Sequence, residues 1–215
     1  LSPQDHRVLR FVGVIGDVHA EETRLSRVLD FFATREVERV LQVGDFVDGM
    51  GSDAECVRRL RDADALVVRG NHERWLLEAL PRLGGVSRRL DAGALAWTSA
   101  LPTTRRLETA AGDALLCHGL GDDDMTLLLP RHGPRELDEN VALKTLLASG
   151  ERLVIAGHTH VRMVRRIAEL TIVNAGTLYR KDRSNCTLLD FAAREVEQWD
   201  VHEDRAPTFA SRHAF

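Results

Sequence analysis

Cysteine is scarce: Cys56, Cys117 and Cys186 are the whole supply in 215 residues, an odd number with no CxxC spacing. That pattern excludes a disulfide scaffold and a thiolate-bound structural zinc, and a reducing compartment is expected. Long apolar runs are missing as well. None approaches the roughly 20 residues that a membrane span requires, and Leu1 to Arg7 lack an apolar signal core. The expectation is a soluble, cytoplasmic protein with no membrane contact and no removed leader; Leu rather than Met stands first, so the sequence can begin inside a longer chain. Lysine is almost absent, with Lys144 and Lys181 the only two, and 29 basic residues face 33 acidic ones for a formal charge of -4. Net charge therefore gives no footprint for nucleic acid. The Arg pairs at 58–59, 88–89, 105–106 and 165–166 read as solvated faces, because acids are interleaved with them. No linker, low-complexity stretch or solenoid-period repeat divides residues 1–215, which are expected to form one domain. At 44% apolar and 5% aromatic, a chain of this length buries roughly 70% of its unfolded surface without staples.

What the chain does contain is a recurring grammar: a short apolar run, a glycine or tight turn, then a polar residue able to bind metal. Phe11 to Ile15 runs into Gly16-Asp17-Val18-His19, and Val40 to Val43 runs into Gly44-Asp45-Phe46-Val47-Asp48. Ala65 to Val68 leads through Arg69 to Gly70-Asn71-His72-Glu73. Ala114 to Cys117 leads to His118-Gly119, and Leu153 to Ala156 leads to Gly157-His158-Thr159-His160. Each polar residue sits just past the carboxyl end of a predicted strand, the edge where ligands bind in an open α/β sheet.

Helical patterns lie between these strands. Leu25, Val28, Leu29 and Phe32 keep i, i+3, i+4, i+7 spacing, with Glu21 and Glu22 in the first turn. Ala54, Val57 and Leu60 form a shorter stripe, Trp75 to Leu77 with Leu80 another, and Val141 to Leu147 a fourth. After His160 the pattern changes to short runs or period two: 163–167, 170–173, 186–191 and 196–201. This tail reads as an antiparallel meander forming a second sheet. The expected fold class is α/β, two mixed β-sheets packed face to face with helices outside in a four-layer α/β/β/α sandwich.

Singly, a Gly-Asp pair is usually a turn and a lone histidine usually a core or capping residue. Jointly, GDVH, GDFVD, GNHE, a strand-terminal HG and GHTH occur in this order, each behind its own apolar run, and no one structural need explains all five. The set resembles the calcineurin-like metallophosphoesterases, the binuclear-metal phosphatases and phosphodiesterases, from about Val12 to about Asp200. The resemblance implies that Asp17, His19 and His160 hold one divalent metal, that Asn71, His118 and His158 hold a second, and that Asp45 bridges both. Only oxygen and imidazole nitrogen are offered, which suits manganese first, or iron, zinc, nickel or cobalt. Two carboxylates against two divalent ions leave about two positive charges, the complement of a phosphate ester. By resemblance, a metal-bridging hydroxide attacks phosphorus, His72 donates the proton to the leaving oxygen, and Asp48 orients His72. Glu73 is expected to support the first helical turn. Alternation along extended backbone places Asp17 beside His19, and His158 beside His160 if that stretch stays extended. It also turns Cys117 away from His118 into the core.

One departure bears on substrate. Relatives that cleave phosphoproteins or dinucleotides carry GDxVDRG, whose Arg clamps phosphate. Here Gly49 stands at that position. The gap favours a small phosphorylated substrate, diesters at least rivalling monoesters, and leaves room for a second ester group. Arg74, Arg162 and Arg180 are the candidate substitutes. A nucleotide or dinucleotide polyphosphate hydrolase and a protein phosphatase-like enzyme are the alternatives, and a non-catalytic scaffold of the same fold is the rival from another class. Neither HxHxDH nor GxGxxG is present, against a binuclear amidohydrolase and a nicotinamide-binding domain. His6, His132, His202 and His213 default to surface positions, Asp122-Asp123-Asp124 to a solvated turn, and Asn174 to Thr177 to a tight turn between strands. The segment from Leu120 to Glu139 is expected to shape the entrance.

Overall fold

The computed structural model describes residues 8–78 and 90–215. His6, Leu80 and the Arg88-Arg89 pair lie outside them. The chain begins in β-α order: β1 (Phe11–Ile15), α1 (Glu22–Thr34), β2 (Arg39–Gln42), α2 (Asp53–Asp62), β3 (Leu66–Val67) and α3 (Asn71–Leu77). Next come α4 (Ala92–Ala100), β4 (Thr104–Thr109), β5 (Gly112–Cys117), α5 (Pro134–Glu139), α6 (Val141–Ala148) and β6 (Leu153–Ala156). Five strands complete it: β7 (Met163–Ile167), β8 (Leu170–Asn174), β9 (Asn185–Asp190), β10 (Glu195–Asp200) and β11 (Thr208–Ala214).

These strands form two mixed sheets, ordered β11-β10-β9-β1-β2-β3 and β4-β5-β6-β8-β7. Alternation assigns their faces. Val12 and Val14 of β1, Leu41, Leu116, Ile155, Val173 and Leu189 fill the space between the sheets. Ile15 turns outward to Leu25, Val28 and Phe32 of α1, the stripe expected from spacing. On the far side Leu115, Cys117 and Val154 meet Leu143 and Leu146 of α6. The result is the four-layer α/β/β/α sandwich. Gly13 lets α1 lie close on β1, since a Cβ there would stand 2.3 Å from the Phe32 ring.

One expectation is corrected. The tail after His160 is not a sheet of its own: β7 and β8 extend the sheet of β5 and β6, while β9, β10 and β11 complete the sheet of β1. Strand β9 is buried along nearly its whole length, so it needs neighbours on both edges and finds them in β1 and β10. Cys56, Cys117 and Cys186 are free and buried, and burial pushes the Cys117 thiol up to about 12. No helix among the described residues is long and apolar enough to cross a membrane.

β1, β2 and β3 run parallel, as do β5 and β6, so the five motif loops emerge from the carboxyl ends of strands in both sheets. The Asp17–Thr177 bridge and a 3.1 Å bond from the His158 amide to Asp17 Oδ1 join the sheets at this edge, and a 2.8 Å bond from the Gly157 amide to the His118 carbonyl ties the ends of β5 and β6 within one of them.

Candidate metal centre

The loops hold one another before they hold anything else. The Asp17 amide donates to the Gly176 carbonyl (3.2 Å), and the Asp17 carbonyl accepts from the Leu178 amide (2.7 Å) and the Thr177 hydroxyl (2.8 Å). The 174–177 turn is thus a brace for Asp17. The Asp45 carbonyl accepts the amides of Val18 and His19 at 2.8 and 2.9 Å. Non-glycine residues rarely take positive φ, yet His19 (47°), Asp45 (56°), Asp48 (65°), His158 (66°) and His160 (58°) all do. Each such residue costs of order 1 kcal/mol or more, and strain of this kind gathers at functional sites. It also corrects the expected extended alternation, because the paired side chains converge through left-handed turns.

The structure brings all seven candidate ligands and His72 together. Asp17, His19 and His160 each place one oxygen or nitrogen within 4.8 Å of the others, and so do Asp45, His118 and His158. Asn71 Oδ1 lies 2.9 Å from His118 Nε2, and Asp45 Oδ2 lies 3.2 Å from the same nitrogen. Asp45 also groups with His19 and His72, which puts it on the seam between the two clusters.

The ring protons decide whether cations fit. Backbone carbonyls only accept, so the nitrogens that face them carry the hydrogens: His19 Nδ1 on Asp48 O (3.2 Å), His118 Nδ1 on Val43 O (2.9 Å) and His158 Nε2 on Met125 O (3.1 Å). The remaining nitrogen of each ring is then free to present a lone pair. His19 Nε2 and His160 Nε2 face each other at 3.0 Å, and His160 Nε2 stands 3.1 Å from Asp17 Oδ2. That oxygen is buried and, His160 apart, meets no hydrogen-bond donor among the described residues. Electron-rich atoms this close need a positive charge among them. In the protein alone, protons supply part of it. Burial opposes the charged form of His118 and His160, but Asp45 holds the first ring up at about 10, while Asp17 and Asp182 hold the second at about 9. Burial pushes His19 and His158 below the ordinary histidine range, toward the neutral form that a metal ligand requires. The oxygen and imidazole set, the buried Asp17 oxygen with only His160 beside it and the opposed lone pairs fit divalent cations.

His72 sits at the seam. Its Nδ1 meets Asp48 Oδ2 at 3.0 Å, and its Nε2 points inward, 3.9 Å from Asp45 Oδ2. Burial works against the charged ring, but the Asp48 bond and the carboxylates of Asp45 and Glu73 prevail and raise His72 above the usual histidine range.

Several residues behave otherwise than expected. Glu73 does more than start a helix: its carboxylate accepts the amides of Asp45 (2.8 Å), Phe46 (2.8 Å), Val47 (3.1 Å) and Gly70 (2.9 Å), pinning two motif loops together. The three candidate arginines are all engaged: Arg74 with Asp124 at 2.7 Å, Arg162 with Asp200 at 2.5 Å, and Arg180 with Glu21 at 2.6 Å. The Arg74 pair makes Asp124 an anchor for its loop, and the Met125 carbonyl brings that loop, within Leu120 to Glu139, onto His158. At Gly49 a Cβ would stand 1.7 Å from the His19 carbonyl oxygen. Backbone therefore occupies the place where a side chain at this position would begin.

Sequence reasoning missed Asp182, whose Oδ2 lies 2.6 Å from His160 Nδ1, and Gln42, which is buried and bonds to Gly44 on both sides of its amide. Neither belongs to a motif. Trp75 and Tyr179 flank the cluster, with ring centroids 4.8 Å from His72 and 5.1 Å from His19. The helical spacing of Trp75 suggested core, yet it enters none of the three core clusters.

Comparison with known proteins gives a consistent picture. The sequence matches the calcineurin-like phosphoesterase superfamily domain over residues 11–194. It is 33% identical over 70 residues to an uncharacterized protein of Methanocaldococcus jannaschii, a match that spans 33% of this chain and only 29% of that protein. The fold is similar to that of a metallophosphoesterase from Sphaerobacter thermophilus, with a TM-score of 0.67 at 21% identity, covering 93% of this chain and 88% of the other. It is also similar to Vacuolar Protein Sorting 29 from Cryptosporidium parvum, with a TM-score of 0.57 at 16% identity, covering 97% and 100%. At these identities the two structures speak for the fold alone.

Proposed function

The chain belongs to the calcineurin-like phosphoesterase superfamily, and on that footing we propose that it is a metal-dependent hydrolase of small phosphate esters, acting on diesters at least as well as on monoesters. The observation that carries this reading is the convergence of seven donor residues, Asp45 at their seam, with the inward-facing Nε2 of His72 beside them. Asp17, His19 and His160 would hold one cation, Asn71, His118 and His158 the other, and Asp45 both. Two bound divalent ions, manganese first, would neutralise phosphate charge and acidify an attacking water.

The remaining work falls to the protein. Asp48 accepts from Nδ1 of His72, which fixes the ring and leaves Nε2–H aimed into the site for donation to a leaving oxygen. Glu73 keeps the Asp45 and Asn71 loops in register. The diester preference rests on the arginines. A monoester dianion gains more than a diester from a fixed guanidinium, and Arg74, Arg162 and Arg180 each already face a carboxylate. The loop of Leu120 to Glu139 shapes the entrance through Met125, and the cell compartment we infer is the cytoplasm. The reading is tested by comparing bis-nitrophenyl phosphate with nitrophenyl phosphate at one manganese loading, then adding a chelator. Diester turnover equal to or above monoester turnover, abolished by the chelator, is expected.

A further inference from the structure

The four candidate ligand histidines, His72 apart, are not held alike. His19, His118 and His158 each rest a ring nitrogen on a backbone carbonyl, whereas His160 alone rests Nδ1 on a carboxylate, Asp182 Oδ2, at 2.6 Å. The opposite nitrogen of the same ring is the one that faces Asp17 Oδ2 and His19 Nε2. Asp182 belongs to a loop built to hold it there. Arg180 locks that loop to the chain after β1 through Glu21, with Nε to Oε1 at 2.6 Å and Nη2 to Oε2 at 2.8 Å. The Asp182 amide closes a turn onto the Tyr179 carbonyl at 3.0 Å, and the Leu178 amide is bonded to the Asp17 carbonyl.

We propose that Asp182 is a positioning residue that makes the Asp17, His19 and His160 cluster the tighter of two metal positions, by fixing the His160 tautomer and increasing electron density at Nε2. A carboxylate behind a ligating imidazole acts in this way, and its removal typically lowers metal affinity 10- to 100-fold. A neutral carbonyl fixes the tautomer but adds no full charge, so Asp182 widens the difference in strength that Asp17 in one cluster and Asn71 in the other already make. The inference rests on the two-metal reading above.

The test is manganese binding to metal-stripped protein by calorimetry, with no substrate present. Wild type should bind two ions with unequal affinity. Asp182→Ala should weaken the tighter one by about 10- to 100-fold and leave the other unchanged, and Asp182→Asn, which keeps an acceptor without the charge, should fall between. In a His160→Ala background the Asp182 substitution should have no further effect, while in a His118→Ala background it should act in full. Unchanged binding in Asp182→Ala, or equal weakening of both ions, overturns the proposal. A wild type that binds no manganese overturns the two-metal reading and this inference with it.

Discussion

Asp45 and His72 occupy adjoining places in the site and are assigned different work, so their substitutions should separate. Asp45 touches both donor clusters, and its Oδ1 also takes the His72 amide at 2.9 Å. Asp45→Asn should lose both metal ions together, which metal analysis of the purified variant reads directly; two ions retained would remove the bridging role. His72→Gln should keep both ions and lose roughly 10²- to 10⁴-fold in turnover of esters with alkoxide leaving groups, with a smaller loss for nitrophenolate, which departs unaided. Equal losses on both would make His72 a positioning group. Asp48 raises His72 and a proton donor works only while protonated, so Asp48→Asn should move the alkaline fall of activity to lower pH. A fall at the wild-type pH would contradict the pairing. At this scale the sequence was informative about ligands and poor about their supports: Asp17, Asp45 and His118 sit beside glycines at strand ends, whereas Asp182 reaches His160 from 22 residues away in a loop with no pattern.

Loops between elements show where the site stores its rigidity. Four amides from two loops end on one buried carboxylate, Glu73, so removing it leaves donors that nothing else satisfies, each costing about 1–3 kcal/mol. Glu73→Ala should therefore destabilise the protein by at least about 3 kcal/mol in urea unfolding, and metal content should fall as the Asp45 and Asn71 loops part. Unchanged stability with lost turnover would assign Glu73 to chemistry instead. Helix α1 was legible because burial on one face imposes a period on its residues, and strands β1, β2, β5 and β6 because burial on both faces leaves short apolar runs. Strand β4, with Leu107 its one large apolar residue, and β11, half of it polar, were not. The left-handed turns at His158 and His160 carry no glycine to signal them, so local alternation pointed to an extended segment.

For the whole molecule, the consequence lies in where two sheets meet. Asp17, Asp45 and Asn71 come from one sheet, His118, His158 and His160 from the other, so metal binding at this edge would be coupled to the packing of the sandwich. That division could not be read along the chain, because periodicity reports which residues form a strand and not which edge the strand will join. The coupling has a pH signature. A ring whose folded-state value lies above the ordinary 6.5 adds stability that is complete below that pH and fades as pH climbs through the folded value. With His118 at about 10 and His160 at about 9, metal-free protein should lose thermal stability as pH rises from 7 to 10. Metal-loaded protein, whose rings hold cations instead of protons, should not show that loss. A metal-free melting midpoint that stays level over this interval would contradict the ring assignments.

The central claim is that this edge is a working two-metal phosphoesterase site, and the most direct measurement is manganese titration of metal-stripped protein while bis-nitrophenyl phosphate hydrolysis is followed. Hydrolysis should be absent without metal and should rise to a plateau at two ions per chain. Protein that binds two ions and hydrolyses neither the diester nor nitrophenyl phosphate would contradict the claim, and would leave a scaffold that keeps the metal site without the reaction.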